Sequence, residues 1–116
     1  MDEEILKQMS EAGIDGENAL KRFSGNMAIF KKILLKFPND KSYDALQKAL
    51  DARNYEEAER ACHTLKGVAG NMGMTALFEL CAELHTALHN GNQEVDALFQ
   101  PMQRAYREIL DFIDTL

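Results

Sequence analysis

Apolar residues recur at three- and four-residue intervals along almost the whole chain and nowhere alternate with polar ones, which is the pattern of a protein built from helices. Ile5 and Met9 stand one turn apart in a first piece, about Asp2 to Glu11, which Gly13 stops. Asp15 is placed to cap a helix running through Phe23, and Ser24-Gly25-Asn26 makes a turn. Met27, Phe30, Ile33, Leu34 and Phe37 then form a stripe that ends at Pro38. These two stretches are either two helices or one that bends. Asn39-Asp40 is expected to cap a segment with Tyr43, Leu46, Ala49 and Leu50 on one stripe, ending near Arg53.

Three longer helices follow. Asn54 and Glu57 have the spacing of a capping box, which predicts a helix from Tyr55 to about Asn71, with Gly73 beyond its end. The next starts near Thr75, carries Leu77, Leu80, Cys81, Leu84 and Leu88 on one face, and stops at Asn90-Gly91. The last, roughly Gln93 to Ile113, has Val95, Leu98, Phe99, Met102, Tyr106, Ile109, Leu110 and Ile113 at helical spacing, with Pro101 inside the pattern as a possible bend. Short connections favour antiparallel neighbours. The expected fold is all-α, an up-and-down antiparallel four-helix bundle with additional short N-terminal helices.

Length and charge narrow what such a bundle does. The 116 residues, 46% of them hydrophobic, suit one compact domain spanning 1–116 and are too few for two. A net charge of -6 argues against nucleic acid or an anionic membrane surface as partner. No apolar run approaches the roughly 20 residues that span a bilayer, and Met1-Asp2-Glu3-Glu4 is acidic where a secretory signal is basic. A cytoplasmic monomer is expected. Cys62 and Cys81 lack the spacing of a zinc site and read as core fillers, equidistant from a turn at Asn71-Met72 and so placed to lie near each other with free thiols.

The helix from Tyr55 to Asn71 carries the candidate chemistry. At about 100° per residue, Ala58, Ala61, Cys62, Leu65, Val68, Ala69 and Met72 share one arc, the core face. Opposite it lie Glu56, Glu59, Arg60, His63, Lys66, Gly67 and Gly70, with His63 at the centre of a solvent-facing stripe. A glycine in a helix interior costs roughly 1 kcal/mol relative to alanine, so two on this face need a reason. Gly67, one turn after His63, removes the side chain that crowds the imidazole, and Gly70 clears the turn after that. Lys66 lies within one turn, where its ammonium can offset charge on a group attached to the ring. Neutral imidazole is a competent nucleophile near pH 7. The residues alone leave two readings of His63 open: an ordinary surface histidine, or a nucleophile that enters another protein's active site. Gly70 and Gly73 also have a simple reading as features of a helix end.

The run Ala61-Cys62-His63-Thr64-Leu65-Lys66-Gly67-Val68-Ala69-Gly70-Asn71-Met72-Gly73 resembles the signature of histidine phosphotransfer (HPt) domains of bacterial multistep phosphorelays, in which the His of a His-x-Leu-Lys-Gly segment is the phosphoacceptor. The similarity extends upstream through Gly13-Ile14-Asp15, Ala19-Leu20, Arg22-Phe23, Gly25-Asn26, Phe30 and Leu34-Leu35, and downstream from Leu77 to Gly91. The resemblance implies that His63 carries a phosphoryl group on the ring nitrogen farther from the backbone, that Lys66 assists the phosphate, and that Gly67, with Gly70 less strongly, permits partner docking. It implies response-regulator receiver domains as partners, with a hybrid sensor kinase upstream, and reversible Asp-to-His-to-Asp transfer. One departure stands out: many relatives have Leu-Glu where this chain has Leu84-His85.

No nucleotide-binding glycine loop and no magnesium-type carboxylate cluster is visible, so the chain is expected to be a carrier without kinase machinery and without a cofactor of its own, magnesium being expected on the receiver. Two rival functions fit other features. His85 and His89 at i, i+4, with Cys81 one turn earlier, are candidate metal ligands, although the Glu of a His-Glu-x-x-His site is missing. A module that docks receivers without carrying phosphate is the other.

Overall fold

The computed structural model describes residues 2–116, and among them every regular element is helical: α1 (Asp2–Glu11), α2 (Gly16–Arg22), α3 (Met27–Lys36), a 3-10 turn (Phe37–Asn39), α4 (Ser42–Asp51), α5 (Tyr55–Asn71), α6 (Thr75–His89) and α7 (Asp96–Asp114). The fold is an all-α helical bundle. The open choice near residue 25 resolves as two helices: Asp15 Oδ1 accepts from the Asn18 N–H at 3.1 Å to cap α2, and Asn26 Oδ1 accepts from Ile29 N–H at 3.1 Å to cap α3.

Two helix starts differ from the sequence expectation. Asn39 belongs to the 3-10 turn, and Asp40 turns its carboxylate onto the N–H of Ser42 at 2.9 Å and onto the Ser42 hydroxyl, so α4 begins one residue later than a cap at Asp40 implies. The last helix starts at Asp96 rather than Gln93 because Asn92 Oδ1 holds the Glu94 N–H at 2.9 Å in a local turn and Val95 is drawn fully into the core. The helix runs on through Pro101, which forgoes one bond, that to the Ala97 carbonyl, but leaves Met102 fully buried.

Helices α4 to α7 form the body. Each packs on its sequence neighbour across a short connection, which doubles the chain back every time. The ring closes where α4 meets α7: the Tyr43 ring stacks on Tyr106 with centroids 3.7 Å apart and lies 5.6 Å from Phe99. Phe37 caps this cluster 5.6 Å from Tyr106. Apolar burial of this kind is the main stabilising term, and the core runs continuously from Met9 and Ile14 through Leu65 and Leu84 to Ile113. The N-terminal helices join that core, pinned where the Asp15 N–H donates to the Gly73 carbonyl at 2.7 Å. None of the described helices is long and apolar enough to cross a membrane.

Candidate functional site

Helix α5 has the bounds its sequence signals imply, and its start shows how. Asn54 Oδ1 accepts from the Glu57 N–H at 3.2 Å. The reciprocal half of the capping box is not made, because the Asn54 N–H is already taken by the Ala49 carbonyl at 2.8 Å and the Glu57 carboxylate turns to Arg60 at 3.0 Å. Ala58, Cys62, Leu65 and Ala69 are buried, Ala61, Val68 and Met72 partly so, and His63 and Gly67 are exposed on the opposite side. The apolar arc read from the sequence is the face that enters the bundle.

Charges around His63 are unequally engaged. Arg60 is held by Glu56 at 2.9 Å and by Glu57 at 3.0 Å. Glu59 meets His89 Nδ1 at 3.2 Å. Lys66, half-buried, forms no ion pair among the described residues and is the uncommitted cation on this stretch of α5. Thr64 donates its hydroxyl back to the Arg60 carbonyl at 3.1 Å and so presents no free donor to a ligand.

The two glycines part company. A methyl group at Gly67 meets nothing within 4 Å among the described residues, so none of them demands a glycine there. At Gly70 the same methyl lies 3.1 Å from Phe78 Cδ1 of α6, so that ring covers Gly70 and supplies an internal packing reason for its small size. Gly67→Ala is therefore expected to raise stability by about 0.5–1 kcal/mol, since it restores helix propensity without a clash. Denaturant melts of the two proteins check this.

Sequence reasoning missed what stands across the groove. The His85 ring of α6 lies 5.4 Å from the His63 ring, centroid to centroid and tilted 41°, with His89 a further 6.3 Å along. Glu56, Glu59, Arg60, His63, Thr64, His85 and His89 line this groove between α5 and α6. Burial, and then the neighbouring Lys66 ammonium, hold the His85 imidazole below the usual histidine range, against the pull of Glu59. A signal for the pairing was present: His63 and His85, Glu59 and His89, and Gly70 and Phe78 are each equidistant from Met74 along the chain, the register of one antiparallel edge.

The rival metal site loses its third ligand. Cys81 is fully buried, its thiol pushed up by a hydrogen bond with Cys62 and by burial, and its carbonyl accepts from Cys62 Sγ at 3.3 Å. Both thiols are free. No group of three or more His, Cys, Asp or Glu among the described residues is arranged to hold an ion.

Residues 39–116, from the 3-10 turn through α7, match the family model of the Hpt domain. The chain belongs to the Hpt domain family. Hpt domains act in histidine phosphotransfer within phosphorelay signalling, as phosphocarriers rather than kinases, and their partners are receiver domains. No curated protein and no solved structure matches the chain. The matched part of the Hpt domain contains the whole α5–α6 hairpin, with His63, Lys66, Gly67, Gly70 and the facing His85, while α1 to α3 precede it.

Proposed function

We propose that residues 1–116 form one Hpt domain, a monomeric cytoplasmic phosphocarrier that takes a phosphoryl group on His63 from the aspartyl phosphate of a receiver domain and passes it to another. The supporting observation is an exposed imidazole centred on α5 beside Gly67, where space is open and no internal contact uses it. A receiver's active site has to close over the ring, and a bare turn next to it allows that approach.

In this scheme the Nε2 lone pair of His63 forms a bond to phosphorus as the bond from phosphorus to the aspartyl oxygen breaks. The aspartate leaves as carboxylate, and the ring keeps its Nδ1 proton. Lys66 offsets the negative charge carried across, and Gly67 admits the partner, while Gly70 is covered by Phe78 and keeps only its packing role. The attacking ring must be neutral, because a proton on Nε2 would occupy the lone pair that bonds to phosphorus. Metal chemistry falls to the receiver, because Glu56 and Glu59, the carboxylates in the His63 groove, are committed to Arg60 and His89. A hybrid sensor kinase is the expected ultimate source of phosphate.

Incubating the full chain with a panel of radiolabelled phosphorylated receiver domains tests this. The expected product carries acid-labile, base-stable phosphate that maps to the peptide containing His63. Stable complexes with receivers but no covalent label would replace the carrier reading by a docking module.

A further inference from the structure

The phosphoacceptor proposed above has a second imidazole facing it from another helix. With ring centroids 5.4 Å apart, a group bonded to His63 on the groove side enters the immediate surroundings of His85. Opposite charges within about 4–6 Å strongly favour each other's ionised forms. Before phosphorylation the balance around His85 is set against a proton there. The ring is half-buried, Lys66 and His63 on α5 and His89 on α6 oppose a positive charge there, and Glu59, which favours one, is already engaged by His89 at 3.2 Å. The remaining charged groups of the groove, Glu56 and Arg60, are paired with each other at 2.9 Å.

Phosphorylation of His63 reverses that balance, since it places a phosphoryl group, with about two negative charges on its oxygens near neutral pH, in the groove. We propose that His85 takes up a solvent proton when His63 is phosphorylated, and that the imidazolium so formed donates a hydrogen bond to the phosphoryl oxygens. His85 is then a direct partner of the transferred group, and the relay becomes linked to pH. The sign follows from proton count. The phosphorylated protein binds one more proton than the free one, so acid favours keeping the group on His63 and base favours release, with a limit of roughly tenfold per pH unit between the two His85 midpoints. His89 is the weaker alternative, one turn farther along α6 and held by Glu59.

This inference rests on His63 as the phosphoacceptor, and its test separates the two. The isotope-labelled full chain is phosphorylated with phosphoramidate, whose phosphorus–nitrogen bond breaks as the new one forms, and the three imidazoles are titrated by NMR from mildly acid to mildly alkaline pH. The expected result is a His85 midpoint below the ordinary histidine value in the free protein, rising by about one pH unit or more on phosphorylation. The same treatment of His63→Gln should leave His85 unmoved. With a phosphorylated receiver as donor, the transfer equilibrium should depend more steeply on pH in the wild type than in His85→Gln. Label on His63 with an unmoved His85 midpoint, or equal pH slopes in the two proteins, would overturn the inference alone. Label found on His85 or His89 instead of His63 would overturn the site as well.

Discussion

The His63→Gln protein is expected to fold as the wild type does and to take no phosphoryl label above background from any phosphorylated receiver. His63 is exposed on the helix face opposite the core, so its replacement by a polar residue of helical propensity should change stability by no more than about 0.5 kcal/mol. An amide offers no comparable nucleophile, and the loss of chemistry should be complete. The neighbouring histidines make this a demanding test. His85 is only 5.4 Å away ring to ring, but it is half-buried; His89 is exposed but tied to Glu59 at 3.2 Å. Circular dichroism and a denaturant melt check the fold, and receiver-dependent labelling checks the chemistry. Label that persists in a well-folded His63→Gln protein would transfer the phosphoacceptor role elsewhere in the groove.

What was legible in the sequence follows how local the cause was. Helix α5 was readable end to end because its cap, its apolar arc and its stop all lie within the helix and the residues that flank it. The starts of α4 and α7 were displaced by competing local turns at Asp40 and Asn92, where a side chain that caps a helix can equally close a turn on the N–H two residues on. His63, Lys66 and Gly67 could be singled out together because they lie within five residues on one helix. The facing His85 needed the register of the α5–α6 hairpin, which no single helix contains. Gly70 shows the same limit from the other side: its small size looked like clearance for a partner until Phe78, from the next helix, was found against it. The family match is bounded in a related way, since it begins at residue 39 and leaves α1 to α3 to be placed by their own contacts.

Those contacts lead to the largest stability effect expected in the chain. Gly73 sits at φ +70 at the end of α5, where its carbonyl receives the Asp15 N–H at 2.7 Å and ties the N-terminal helices to the hairpin. A methyl group at this position would lie 2.7 Å from the Asp15 carbonyl oxygen and 2.8 Å from Ala19 Cβ, neither of which is the end of a flexible side chain. Gly73→Ala therefore meets two costs, a left-handed backbone disfavoured by roughly 1–2 kcal/mol and a clash that must push α2 away, for a total of about 2–4 kcal/mol. Gly91 separates them: it has φ +78 in the same kind of helix ending, but nothing lies within 4 Å of an added methyl. Arg53, at φ +57 after α4, shows that the fold accepts a side chain in that backbone conformation where space exists. Gly91→Ala should thus lose only about 1 kcal/mol, the conformational part. In Gly73→Ala the amides of α1 and α2 should also lose hydrogen-exchange protection before those of α5 to α7, because the disturbed junction is one that joins them to the hairpin. Equal losses in the two variants would mean that backbone strain alone sets the cost and that the Asp15–Gly73 junction does not anchor the N-terminal helices to the hairpin that carries His63.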